Sequence, residues 1–297
     1  MLLALTLVSP DPQALAPAQA RAAQAVAGVS GAVKRTRALG PAAMDLEVEA
    51  DAPDVLRRSV DVRLAGLPVD FCLQPLEGRR KRLLVADMDS TIIGCECIDE
   101  LADFAGVKPQ VAEITERAMR GELDFEAALR ERVAMLKGLP VEVLERCYAE
   151  RVRLNPGAEI LVKTMAANGA RCVLVSGGFE FFTTRVAEAA GFHAQQANRL
   201  VEADGKLTGK VAEPILGREA KLAALKTEAA TLGLDAAQTL GIGDGANDLA
   251  MIGWAGLGVA YRAKPVVAAQ ADARVGHADL TALLYFHGYE ATAFVES

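Results

Sequence analysis

Asp87 and Asp89 are two carboxylates separated by one residue, in the stretch Asp87-Met88-Asp89-Ser90-Thr91, directly after the apolar run Leu83-Leu84-Val85-Ala86. That run reads as a parallel strand covered on both faces. Like charges at the mouth of such a strand repel each other and lose their hydration, so the pair calls for a cation. An isolated Asp-x-Asp would be an ordinary solvated turn. Two further runs end in the same way, however. Residues 172–178, CVLVSGG, close on Ser176-Gly177-Gly178, and residues 239–248, TLGIGDGAND, reach Asp244. Open α/β sheets bind ligands outside the carboxyl ends of their strands, where side chains from separate strands converge.

The chemistry available to these groups is phosphoryl transfer. A carboxylate such as Asp87 can accept a phosphoryl group as a covalent nucleophile. Asp89 is placed to protonate a leaving alkoxide and then to activate water. The carboxylates of Asp87 and Asp244, with the backbone carbonyl of Asp89, form an oxygen set suited to Mg²⁺. Lys221 lies near the start of a predicted helix and adds a positive charge. The Ser176 hydroxyl and nearby backbone N–H groups would hold phosphate oxygens. Taken singly, Lys221 is a solvated helix charge and Ser176 a turn former. Their order after plausible strands is what gives them weight.

The elements that must position these groups form two predicted parts. The N-terminal residues read as strand (2–9), helix (12–27), strands (32–38 and 43–49), helix (53–66) and strand (69–75), a βαββαβ order that builds a ferredoxin-like α+β domain over 1–76. Residues 77–82, EGRRKR, read as a solvated linker. From 83 to 297 the pattern is α/β with a parallel sheet. Between the strands ending at 87 and 176, helices at 98–105, 109–120, 124–137 and 140–151 predict an inserted helical cap, at about 96–155, over the crevice. A helix (179–190), a hairpin at Ala203-Asp204-Gly205-Lys206, strands at 257–260 and 273–275 and a closing helix (278–287) complete the reading.

Composition limits the partners. The net charge of −7 and pI of about 5.2 argue against nucleic acid and anionic membranes. No apolar run is long enough for a membrane span, and the N-terminus lacks a signal-peptide pattern, so the expected location is cytoplasmic. The five cysteines are scattered and odd in number, and Cys95-Glu96-Cys97 reads as small packed thiols in preference to a metal or redox pair. His193, His277 and His287 are isolated and read as surface or packing residues.

DMDST, SGGF and GDGANDLAM, with Lys221 between the last two, together resemble the signature of the haloacid dehalogenase-like phosphohydrolases. Residues 83 to 285, including ECIDELA and RGELDFEAALRERV, are similar to the phosphoserine phosphatases of that superfamily, and the N-terminal element order resembles their bacterial type with an ACT-like extension. The resemblance implies a Rossmann-like core and a Mg²⁺-dependent hydrolysis of O-phospho-L-serine through an aspartyl-phosphate on Asp87. It also implies roles residue by residue. Asp89 is then the proton donor, Asp87, Asp89 and Asp244 the metal site, and Asp248 its support. Ser176, Gly177, Lys221 and Asn247 hold the phosphoryl end. Glu96 takes the ammonium group and Arg132 the carboxylate, with Phe125 and Met119 lining the cap. Arg130 faces elsewhere on the same helix. Two alternatives stay open: transfer to a second alcohol such as homoserine, and a non-catalytic amino-acid sensor. Whether the N-terminal module senses serine or pairs two chains is also open.

Overall fold

A computed structural model describes residues 1–119 and 123–296, with the backbone alone for 118 and 119. In the N-terminal part, β1 (Leu2–Val8), α1 (Leu15–Gly28), β2 (Ala32–Gly40), β3 (Ala43–Glu49), α2 (Pro53–Leu64) and β4 (Asp70–Pro75) form an antiparallel sheet of order β2-β3-β1-β4. One face, carrying Leu3, Leu5, Leu7, Leu46, Val48 and Leu73, is sealed by α1 and α2. This is the predicted βαββαβ unit.

The second part is a six-stranded parallel sheet of order β12-β11-β10-β5-β6-β7. Its chain order is β5 (Leu83–Ala86), α3 (Cys97–Phe104), α4 (Lys108–Met119), α5 (Phe125–Ala134), α6 (Glu142–Arg151), α7 (Ala158–Ala167), β6 (Arg171–Phe179), α8 (Glu180–Ala190), β7 (Ala194–Asn198), a separate hairpin of β8 (Leu200–Ala203) and β9 (Lys206–Val211), α9 (Ala220–Thr231), β10 (Thr239–Gly243), α10 (Leu249–Trp254), β11 (Leu257–Tyr261), α11 (Pro265–Ala268), β12 (Ala273–Val275) and α12 (Ala282–Phe286). All four residues of β5 are fully buried, as expected for an apolar run with helices on both faces.

Helices α3–α6 occupy the span between β5 and β6, where the oversized crossover predicted an insertion. The β8–β9 hairpin braces that insertion. Asp204 and Gly205 both adopt positive φ, the geometry of a tight hairpin turn. Beside the turn, Leu207 N–H donates to Leu139 O (2.9 Å), Gly138 N–H to Leu207 O (2.8 Å) and Val141 N–H to Gly205 O (3.0 Å).

Two predictions need refinement. Residues 77–82 keep Glu77, Gly78, Arg80 and Arg82 exposed, but the stretch is anchored through its cations. Arg79 Nη2 lies 2.7 Å from Asp45 Oδ2, the Arg80 guanidinium sits 4.3 Å over the Tyr289 ring, and buried Lys81 donates to Ala237 O at 2.9 Å. Long aliphatic stems bury while their charged heads find acceptors supplied from distant chain. The closing helix is also shorter than 278–287. Asp279 Oδ1 accepts the Thr281 N–H (2.9 Å), which delays the first helical turn, and Gly288 at φ +76 ends the helix.

The second face of the N-terminal sheet is buried against the C-terminal segment. Val8, Leu39, Ala43 and Cys72 share one core with Leu283, Leu284 and Phe286. Asp70 accepts the N–H groups of Gly276 (2.9 Å), His277 (3.0 Å) and Ala278 (2.7 Å), and Gln74 Nε2 donates to Phe286 O (2.7 Å). His287 is buried among these residues, and burial beside Lys81, Arg79 and Arg80 pulls its imidazole down to about 3.

Candidate active site

Asp87 follows β5 at the carboxyl edge of the sheet, where its N–H donates to Ile242 O of β10 (3.0 Å) and so fixes its position. Its Oδ1 accepts the Met88 N–H (2.7 Å) and its Oδ2 lies 2.7 Å from Lys221 Nζ. The chain then doubles back through a tight turn in which Ser90 takes φ +57, an uncommon conformation for a side-chain-bearing residue. Two bonds hold this turn: Ser90 N–H to Cys95 O (3.3 Å) and Ser90 Oγ to Glu96 Oε1 (2.6 Å). The turn returns Asp89 to the strand tips. Asp89 Oδ1 accepts the Cys97 N–H at the start of α3 (2.9 Å), and Oδ2 accepts the Ser176 hydroxyl (3.2 Å).

Ser176 arrives on β6 two residues beyond Leu174, which pairs with Ala86 at the end of β5, and its Oγ accepts the Gly178 N–H (2.8 Å). The glycines beside it are required by close approach. A Cβ on Gly177 would stand 2.8 Å from Phe125 Cζ, and one on Gly178 would stand 2.7 Å from Asp89 Oδ2. Lys221, in the first turn of α9, is 3% exposed. Its Nζ contacts Asp248 Oδ1 (2.5 Å) as well as Asp87. Asp248, wholly buried, spends its other oxygen on the N–H groups of Asp244 (3.1 Å) and Gly245 (2.9 Å), which shapes the loop after β10. Asp244 Oδ1 in turn accepts the Thr91 hydroxyl (3.3 Å).

Negative charge is crowded here. One carboxylate oxygen from each of Asp87, Asp244 and Asp248 lies within 4.8 Å of the other two, the one such metal-competent group among the described residues. Burial pushes the Asp87 carboxyl upward, opposed by Lys221 and reinforced by Asp248. Asp89 rises to about 7 through burial and the charge of Glu96, against the hydrogen bonds from Cys97 and Ser176. Asp244 rises to about 6 through burial, Asp248 and Glu96. Burial opposes the charge on Lys221, but Asp87 and Asp248 outweigh it and hold the ammonium protonated above its usual range. A divalent cation between Asp87 and Asp244 would relieve this pressure, and the oxygen-only donor set fits a hard cation.

A cavity of about 660 Å³ opens over these groups, in the size range of small-molecule sites. It is lined by Asp87, Asp89, Ser176, Gly177, Asp244 and Asn247 from the sheet edge, by Glu96 just before α3, and by Phe125 and Arg132 of α5. Lys221 stands behind, in a recess shared with Phe125, Ser176, Gly177 and Asn247. Arg132 faces the cavity, whereas Arg130 turns outward to Glu126 (3.1 Å) and Glu213 (2.9 Å). Met119 ends α4, and its side chain lies outside the described residues. The sequence reading passed over Ser90, Asp99 and Arg218, which also line the cavity. Ser90 sits inside the first motif and was findable there.

The family model described as haloacid dehalogenase-like hydrolase matches residues 84–252, more than half of the chain. The chain belongs to the haloacid dehalogenase-like hydrolases. Among relatives of this hydrolase, the phosphoserine phosphatase of Streptococcus thermophilus is 52% identical over 200 residues, 67% of this chain and 93% of that protein. The phosphoserine phosphatase of Polaromonas sp. is 45% identical over 224 residues, 74% of this chain and 95% of that one. A solved phospho-aspartyl intermediate analogue of phosphoserine phosphatase matches with a TM-score of 0.65 and 40% identity, covering 70% of this chain and 99% of its own. A hydrolase of the same family from Salmonella enterica serovar Typhi matches nearly end to end, with a TM-score of 0.83 at 28% identity over 96% of this chain and 98% of its own. The hydrolase fold therefore recurs together with the N-terminal sheet. No helix among the described residues is long and apolar enough to cross a membrane.

Proposed function

We propose that this hydrolase cleaves O-phospho-L-serine to L-serine and phosphate, with Asp87 as the covalent nucleophile. The observation that carries the reading is one cavity lined both by Asp87 and Ser176, with Lys221 ion-paired to Asp87 behind it, and by two opposite charges, Glu96 and Arg132. A zwitterion enclosed under a lid needs one partner of each sign.

In the first half-reaction an Asp87 carboxylate oxygen forms a bond to phosphorus as the bond to the serine oxygen breaks. Asp89, raised to about 7, gives its proton to the departing alkoxide. Water then loses a proton to Asp89 and attacks phosphorus, which releases phosphate and restores the Asp87 carboxylate. Asp87 and Asp244 would hold Mg²⁺, with the Asp89 carbonyl, and Asp248 would keep their loop in place. When bound, Mg²⁺ supplies charge neutralisation for an anionic nucleophile approaching a dianionic ester. Lys221, the Ser176 hydroxyl, the Gly177 N–H and Asn247 bind the phosphoryl oxygens, while Phe125 packs on Gly177 and closes the apolar side of the site. We assign 1–76 as an ACT-like unit docked onto the hydrolase and α3–α6 as its cap. The five free cysteines and polar substrate suit a cytoplasmic enzyme.

Turnover of a panel of phosphomonoesters, with Mg²⁺ and with a chelator, tests the reading. Phosphoserine should be preferred, and the chelator should abolish release of phosphate. With homoserine added, a dominant phosphohomoserine product would replace hydrolysis by transfer and overturn the assignment.

A further inference from the structure

Asn198, at the last position of β7, is 2% exposed and belongs to none of the motifs that mark the site. Its amide is used in full between two segments that are remote in sequence. Nδ2 donates to Gly177 O (2.9 Å) and to Leu216 O (3.3 Å), and Oδ1 accepts the Leu216 N–H (2.7 Å). Gly177 follows Ser176 in the irregular end of β6 that lines the cavity. Leu216 precedes Gly217 and Arg218, the segment that leads into α9 and Lys221. The β6–β7 ladder loses register between Val175 and Phe179, and Gly177 lies in that gap. The buried Asn198 amide therefore supplies the Gly177 carbonyl with a hydrogen bond where the ladder is irregular, and ties Leu216 to it on the other side.

We infer that Asn198 is a positioning residue for phosphoryl binding, setting the separation between the Ser176–Gly177 end of β6 and the segment that delivers Lys221. This inference rests on the proposed phosphatase reading of the site. An amide is the side chain that fits the task, because it donates twice and accepts once from one planar group at the reach required. A carboxylate could still accept from Leu216 N–H, but its other oxygen would face two carbonyl oxygens. Because the residue acts on the phosphoryl end, its loss should affect all phosphomonoesters alike, whatever the alcohol.

The test compares N198D with the milder N198S, which keeps a hydroxyl donor too short to bridge both segments, in the full-length Mg²⁺-loaded enzyme. Competitive inhibition by inorganic phosphate is measured alongside kcat/KM for phosphoserine and for an aryl phosphate. We expect the phosphate inhibition constant to rise about tenfold in either variant, at temperatures well below its thermal midpoint, with similar losses of kcat/KM on both esters. A lowered thermal midpoint with unchanged phosphate inhibition would overturn the inference and leave Asn198 a purely structural residue. A loss confined to phosphoserine would also overturn it. If the wild type itself neither binds phosphate nor cleaves esters, the phosphatase reading fails and not this link alone.

Discussion

Asp89 carries a cost that its chemistry explains. Its proton is bound more tightly in the folded protein, at about 7, than in an unfolded chain, where an aspartate titrates near 4. The group therefore favours folding at low pH, and that contribution is lost as pH rises through about 7. In the presence of chelator, Asp89→Asn should stabilise the protein at pH 8 by about 1 to 3 kcal/mol while losing phosphoserine turnover, and the gain should vanish near pH 4. Denaturant titrations at the two pH values check this. A gain that is equal at both would contradict it. Specificity belongs to the same scale. Glu96→Ala and Arg132→Ala should lower kcat/KM for phosphoserine about 100-fold, the loss of a charge-assisted contact worth about 2 to 3 kcal/mol, and that for an aryl phosphate far less. Equal losses on both substrates would remove the cap from substrate reading.

The strand tips were legible in the sequence because an apolar run that stops abruptly at Asp87, Ser176 or Asp244 is a local signal. Glu96 and Arg132 were singled out only through family likeness, since one is an exposed charge just before α3 and the other an ordinary helix charge until α5 is set beside the cavity. Asn198 left no signal at all. Its three bonds are to residues 18 and 21 positions away, which no local pattern encodes.

Among the elements, α5 carries both Phe125 and Arg132 and so sets the cap against the strand tips. Its N-terminus is fixed by Asp124, whose Oδ1 accepts the Ala127 N–H at 2.7 Å. Asp124→Ala should cost about 1 kcal/mol, the usual value of a lost N-cap. The expected reading is a raised KM for phosphoserine with little change in kcat. A fall in kcat with KM unchanged would place the effect elsewhere. The β8–β9 hairpin supports α5 from outside, a role its turn residues did not disclose. A hairpin is predictable from Asp204-Gly205, but its docking partner is a tertiary matter.

At the scale of the whole molecule, the anchoring of the basic stretch before β5 was not legible because its partners are distant. Asp45 lies 34 positions before Arg79, and Tyr289 is in the C-terminal segment. With these partners in place, the N-terminal sheet and α12 share a core, and α12 is buried on all sides. Asp70 is the polar tie across the same contact. Asp70→Ala leaves three N–H groups without their acceptor and should destabilise the protein by about 3 kcal/mol, seen as a lower midpoint for the entire chain. Removing residues 1–76 should expose the apolar side of α12 and cause association, detectable by light scattering. A monodisperse fragment with an unchanged midpoint would mean that the two parts are thermodynamically separate.

The central claim is that a carboxylate at one strand tip takes the phosphoryl group from the substrate. Its most direct test is intact-mass and peptide analysis of enzyme quenched in acid during turnover of phosphoserine. One phosphoryl group should appear on the peptide containing Asp87, and none in Asp87→Asn. Steady release of phosphate from an enzyme that never carries the group, or a label on any other residue, would contradict the account.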